Sequence, residues 1–139
     1  MLLAVAGLCA DDWDVSLKKA RKEDKPVVLY FYSAYCPYCI AMDKEVLADK
    51  EISGALKNDT IYLRVDVDKR KDLAMFYSIR GYPTTAFLQP GGQNIAKVPG
   101  YIAKKDFKKL LAFVAGRYYR SMTLKDFLQK QPPKEISQR

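Results

Sequence analysis

Histidine is absent from this chain, and cysteine occurs only three times, as Cys9, Cys36 and Cys39. That excludes a structural zinc centre built from four cysteine or histidine ligands, so no metal is expected. Long apolar runs are missing as well, and none approaches the roughly 20 residues of a membrane-spanning helix. No internal repeat is present. Acidic residues are outnumbered by basic ones, 16 against 24, giving a formal net charge of +8. The basic excess is scattered over Lys18-Lys19, Arg21-Lys22, Lys69-Arg70-Lys71, Lys104-Lys105 and Lys108-Lys109. Small clusters on separate segments read as solvated surface rather than as a nucleic-acid site. Apolar residues make up 49 % of the 139, which suits one domain around one core.

What the chain does contain is Cys36-Pro37-Tyr38-Cys39. It follows the apolar run Val27-Val28-Leu29-Tyr30-Phe31-Tyr32 and opens a segment that reads as helix from Ile40 to Leu47. Free amides and the positive dipole end of a helix favour a thiolate in its first residues. Pro37 suits the first helical position, where a missing N–H costs nothing. Cys36 is then the exposed nucleophile at the cap, and Cys39 the more buried resolving thiol one turn in. Half of a zinc site and a purely structural disulfide are the plain alternatives. The first lacks ligands, and the second would close too short a loop to remove much chain entropy.

The rest of the chain alternates helix and strand. Residues 1–10 are apolar, rich in small side chains and followed by Asp11-Asp12. They read either as the end of a secretory segment or as an N-terminal arm packed on the domain. Cys9, if retained, is a thiol of unassigned role, and Leu8 before it is a poor match to a lipid-anchor site. Trp13 to Glu23 has helical spacing, with Trp13, Leu17 and Ala20 on one stripe, and Pro26 ends it. Val27–Tyr32 lacks alternation, as a strand covered on both faces does. Asp49 caps a turn carrying Ile52, Ala55 and Leu56. Ile61, Leu63, Val65 and Val67 alternate with polar residues as a strand. Asp68 is expected to cap a short helix, Lys71 to Tyr77, with Leu73 and Phe76 inward. Thr84–Gln89 and Ile95–Val98 form a hairpin around Pro90-Gly91-Gly92. Phe107, Leu110, Leu111 and Val114 mark an amphipathic helix that Gly116 ends. Thr123 to Asp126 reads as a capping box for a terminal helix holding Phe127 and Leu128. This order predicts an α/β fold, a mixed sheet with helices on both faces. The domain spans 11–116, a helical extension follows at 117–130, and a loose tail at 131–139.

The strand before Cys36, the Cys36-Pro37-Tyr38-Cys39 run and Arg80-Gly81-Tyr82-Pro83-Thr84 downstream together resemble the thioredoxin superfamily, over about Asp14 to Gly116. The resemblance implies the thioredoxin fold and a thiol-disulfide oxidoreductase with no cofactor beyond its own dithiol. Cys36 would attack a substrate disulfide, and Cys39 would resolve the mixed disulfide. Pro83 carries over as the cis-proline opposite the cysteines, and the Tyr82 backbone as the place where an extended substrate pairs. Tyr35 and Tyr38, with Tyr82, would form an apolar rim around the cysteines. Tyr30 stands six positions ahead of the nucleophile, where thioredoxins carry a buried acid, and Arg64 where they place a buried lysine. Asp43, one turn after Cys39, is the nearest substitute base, or simply a solvated surface carboxylate. The Trp13 helix, the Lys25-Pro26 dipeptide and the Tyr118-Tyr119-Arg120-Ser121 segment look most like exported bacterial thioredoxin-like proteins. These include SoxW-like proteins and the C-terminal domain of DsbD. A monomeric, periplasmic or otherwise exported protein-disulfide reductase, recharged by a membrane thiol donor, is therefore expected. The alternatives are a cytoplasmic location, an oxidase or isomerase of exported proteins, and a non-catalytic binding module or chaperone.

Overall fold

The computed structural model describes residues 12–130. Residues 1–10, including Cys9, and the tail at 131–139, for which the sequence raises expectations, lie outside the described residues. The elements run α1 (Asp12–Glu23), β1 (Val27–Tyr32), α2 (Pro37–Met42), a π-helical turn (Asp43–Leu47), α3 (Lys50–Asp59), β2 (Ile61–Asp66), α4 (Lys71–Phe76), β3 (Thr84–Leu88), β4 (Asn94–Pro99), α5 (Lys104–Ala115), a short 3-10 turn (Tyr118–Arg120) and α6 (Leu124–Lys130). The strands form one mixed sheet in the order β2-β1-β3-β4. β1 runs parallel to β2 and antiparallel to β3, and β4 closes the hairpin with β3. This is the thioredoxin fold.

The continuous apolar run of β1 is explained by its place in the middle of the sheet. Successive side chains point to opposite faces, so β1 feeds two cores. Val28 and Tyr30, with Phe87 of β3, pack against Met42, Val46, Ile52, Phe107 and Leu111. Val27, Leu29 and Phe31, with Ala86 and Leu88, pack on the other side against Ala20 and Leu73. Asp49 caps α3 as its sequence position suggests, accepting from the N–H groups of Glu51 and Ile52, each at 3.1 Å.

Three local expectations fail, at Phe76, Asp68 and Leu128, while Gly116 ends α5 as expected but for a different reason. Phe76 points outward, 75 % exposed, because α4 is only six residues long and buries Leu73 alone. Asp68 does not cap α4. Its carboxylate accepts from Ser33 Oγ at 3.1 Å, and Arg70 takes the cap position without capping the helix, its guanidinium bonding the Asp72 carboxylate instead. Gly116 ends α5 in right-handed conformation (φ −82°), whereas Arg117 adopts φ +59°. The glycine is there for space: a Cβ on it would lie 2.5 Å from Cε2 of Tyr118. In the terminal helix, Thr123 Oγ1 accepts from the Asp126 N–H at 3.1 Å. Phe127 is buried against Phe113 and Tyr118, with ring centres 5.3 and 5.0 Å away, but Leu128 stays half-exposed.

Candidate active site

β1 delivers the chain to Cys36, which is the N-cap of α2 with an extended backbone, and Pro37 is the first helical residue. An N-cap side chain normally satisfies one of the orphan amides of the first turn. Here sulfur does it: Cys36 Sγ accepts from the Cys39 N–H at 3.1 Å. The Cys36 carbonyl takes the N–H groups of Cys39 and Ile40 at 3.0 and 3.1 Å. Cys36 and Cys39 are joined by a disulfide, with their Cα atoms 5.2 Å apart. Cys36 is less exposed than its cap position suggests, 9 % against 2 % for Cys39, because its sulfur turns in toward the helix amides.

The neighbouring sheet end carries the second loop. Phe31, next to last in β1, pairs with Thr84, the first residue of β3. That register brings the Tyr82-Pro83 loop and the cysteine loop to the same end of the sheet. The Tyr82–Pro83 peptide bond is cis. Thr84 Oγ1 donates to the Gly81 carbonyl at 2.8 Å and fixes the loop where it enters β3. Beside it runs a groove of about 320 Å³ lined by Ser78, Ile79, Arg80, Gly81, Thr84, Lys97 and Pro99. Tyr35 is 92 % exposed, and Tyr38 and Tyr82 are exposed as well, so none of the three is occupied in packing.

Beneath the cysteines lies Tyr30, fully buried, its hydroxyl donating to the Cys39 carbonyl at 3.5 Å. Burial, helped by the Asp43 carboxylate, holds the Tyr30 hydroxyl well above its ordinary pKa, so it stays protonated at neutral pH. Arg64 is not the buried cation its sequence position suggests. It is more than a third exposed and makes a two-pronged bond to Asp43, at 2.9 and 3.1 Å. Its guanidinium lies 5.2 Å from the ring centre of Tyr30 and 4.8 Å from that of Tyr32. Both Asp43 oxygens are thereby engaged, so Asp43 is neither freely solvated nor an open base. Asp43 also begins the π-helical turn, its carbonyl accepting from the Ala48 N–H at 3.0 Å. Sequence reasoning missed Tyr32, which stacks on Tyr30 with ring centres 6.2 Å apart. The signal was the two-residue spacing of Tyr30 and Tyr32 in a strand. Among the described residues no group of three or more potential metal ligands exists, and no helix is long and apolar enough to cross a membrane.

Comparison with known proteins agrees with this geometry. Residues 13–115 match a family described as a thioredoxin-like domain. Thioredoxin H4 of Arabidopsis thaliana is 35 % identical over 83 residues, a match covering 58 % of this chain and 66 % of that protein. A thioredoxin H-type of Brassica oleracea is 30 % identical over 103 residues, covering 73 % of this chain and 78 % of its own length. The solution structure of a Thermus thermophilus thioredoxin superposes with a TM-score of 0.64 at 31 % identity, covering 71 % of this chain and 80 % of that one. With a Cys36–Cys39 disulfide at the start of α2 and the family match spanning nearly every described element, this chain belongs to the thioredoxin-like domain family and is a thioredoxin-like oxidoreductase.

Proposed function

We propose that this protein reduces disulfides in other proteins, with Cys36 as nucleophile and Cys39 as resolving thiol, and that it works in an exported setting. In the reduced protein the Cys36 thiolate attacks one sulfur of a substrate disulfide and the other substrate sulfur leaves as a thiol. Cys39 then attacks Cys36, releasing the second substrate thiol and closing the Cys36–Cys39 bond. Two electrons pass from the dithiol to the substrate, and a membrane thiol donor returns them. The observation that carries the reading is the cap itself: Cys36 Sγ accepts a helix amide at 3.1 Å, which favours its thiolate, while Cys39 is the more buried of the pair. The exposed Tyr35, Tyr38 and Tyr82 and the groove beside Pro83 suit an extended protein segment rather than a small ligand. Support for export is the apolar stretch at 1–10. Support for membrane recharging is the sequence resemblance of the Trp13, Lys25-Pro26 and Tyr118-Tyr119-Arg120-Ser121 segments to SoxW-like proteins and the C-terminal domain of DsbD.

The test is insulin reduction by wild type and by Cys36→Ser, together with the reduction potential of the pair in glutathione and dithiothreitol buffers. Turnover that is lost in Cys36→Ser, with a potential near the thioredoxin value of about −270 mV, supports a reductase. A potential near the about −120 mV of the strongest oxidants reverses the direction to oxidase or isomerase. No turnover in wild type leaves a binding module.

A further inference from the structure

We infer that Arg64 is a positioning residue for the resolving half of the reaction, holding the backbone of Cys39 through the two groups that donate to its carbonyl oxygen. The inference rests on the disulfide exchange proposed above. The Cys39 carbonyl accepts from the backbone N–H of Asp43 and from the hydroxyl of Tyr30. Arg64 engages both of these residues, at the Asp43 carboxylate and over the Tyr30 ring. Its two terminal nitrogens hold the Asp43 carboxylate at 2.9 and 3.1 Å, and its guanidinium plane lies 5.2 Å from the Tyr30 ring centre. One nitrogen also donates to the Tyr62 hydroxyl at 3.4 Å.

The origin of this brace is fixed by the sheet, because Arg64 stands directly opposite Tyr30 in the parallel β1–β2 register. Its far end grips the helix where α2 gives way to the π-helical turn, Asp43 being the first residue of that turn. Such turns interrupt the regular ladder and are frequent at functional sites. A planar fork with two parallel bonds fixes orientation as a point charge cannot.

Position matters most in the second step. Cys39 Sγ must lose its proton, approach Cys36 Sγ and form the new bond as the Cys36–substrate bond breaks and the substrate sulfur leaves as thiolate. The first step uses Cys36 and the Cys39 N–H that its sulfur accepts, a contact set by the helix cap itself, whereas the brace acts at the Cys39 carbonyl. Arg64 and Asp43 are each more than a third exposed, so losing the pair should disturb stability far less than it disturbs alignment.

The experiment reacts the reduced full chain, with Cys9→Ser to remove the third thiol, with an aromatic disulfide that releases a coloured thiol. Attack by Cys36 gives one release, and resolution by Cys39 gives a second. In Arg64→Ala the first release should stay within about twofold of the parent while the second slows by about tenfold or more, since small misplacements cost heavily in oriented reactions. Arg64→Lys should fall between. Asp43→Ala should slow the second release likewise, and the double variant should be no slower than Arg64→Ala, the mark of a shared path. Second releases near the parent rate in both single variants overturn the inference, and so does equal slowing of both releases. If Arg64→Ala fails to fold, Asp43→Ala, which leaves the cation over the rings, decides alone. If neither folds, the pair is structural and the inference is wrong. Absence of the first release in the parent removes the proposed exchange itself, a different failure from a normal first release with an unaltered second.

Discussion

Cys36 Sγ accepts the backbone N–H of Cys39 at 3.1 Å, so the outer cysteine of the pair is also the cap of the helix that carries the inner one. A helix N-terminus stabilises the thiolate, and a thiol deeper in the helix gains less from it. Iodoacetamide should therefore modify Cys36 of the reduced protein near neutral pH well before Cys39. Cys39→Ser should accumulate mixed disulfides with a protein substrate, and Cys36→Ser should trap none. Peptide mapping of the alkylated protein checks the order, and equal rates at the two thiols would count against it.

Sequence patterning revealed most of the fold for a physical reason. Long elements such as Val27–Tyr32 and Lys104–Ala115 repeat their burial signal several times, so their faces are fixed by many residues. Pro37 and Asp49 are legible because their roles are local, each set by the few residues that follow. Phe76 was misplaced because one and a half turns of helix do not define a face. Asp68 was misassigned because its partner, Ser33, lies 35 residues away. The Arg64–Asp43 pair spans 21 residues and depends on strand register, so the sequence named both residues without joining them. Gly116 was correctly placed at a helix end, but the reason, the ring of Tyr118, is a matter of packing.

Gly116 gives a direct test of that point. A methyl group there would lie 2.5 Å from Tyr118 Cε2 and 2.9 Å from the Ala112 carbonyl oxygen. Gly116→Ala should destabilise the fold by about 1–3 kcal/mol, as overpacking does, although alanine is the better helix former. Adding Tyr118→Ala should cost less than the sum of the two single changes, because the first clash is then gone. Urea unfolding midpoints measure this, and a Gly116→Ala protein as stable as the parent would show that Tyr118 moves aside freely.

Alkaline pH should unfold this protein through its tyrosines. Burial raises the pKa of Tyr30, Tyr62 and Tyr119, and pushes that of Tyr77 up to about 12. In the unfolded chain these hydroxyls ionise near their ordinary pKa of about 10. Stability from this source is thus complete below about pH 10 and is lost as pH rises beyond it. One such group contributes a slope of at most about 1.4 kcal/mol per pH unit, and solvent screening reduces it for a half-buried ring. Tyr77 packs against Trp13, Phe31 and Phe76 with ring centres 5.6, 6.0 and 4.9 Å away, contacts that phenylalanine keeps. Tyr77→Phe should therefore lose stability less steeply above pH 10 than wild type and match it near neutrality. Parallel slopes in denaturant titrations across that range would refute the assignment.

Tyr30 stands where the resemblance implies a buried acid, and a carboxylate there would bear on the resolving step. Cys39 must shed its proton before it can attack, and a buried thiol does so slowly. Tyr30 gives no help: its hydroxyl is held in the protonated form by burial and donates toward the Cys39 carbonyl. A carboxylate at this position could accept the proton, and Arg64, now 5.2 Å from the ring centre, would stand beside it. Tyr30→Glu should speed the second release in the coloured-thiol assay near neutral pH. It should also destabilise the fold by about 1–3 kcal/mol, since a carboxyl group takes the place of a ring in the core. The sign of the pH dependence follows from burial. The folded-state pKa of the new glutamate is raised above the unfolded value of about 4.3, so the deficit grows as pH rises through and above that value. The variant should thus be closer to wild type near pH 5 than near pH 8. Rapid mixing between about pH 6 and 8 decides the kinetic half: if Tyr30→Glu resolves no faster than wild type anywhere in that range, proton loss from Cys39 is not limited at residue 30.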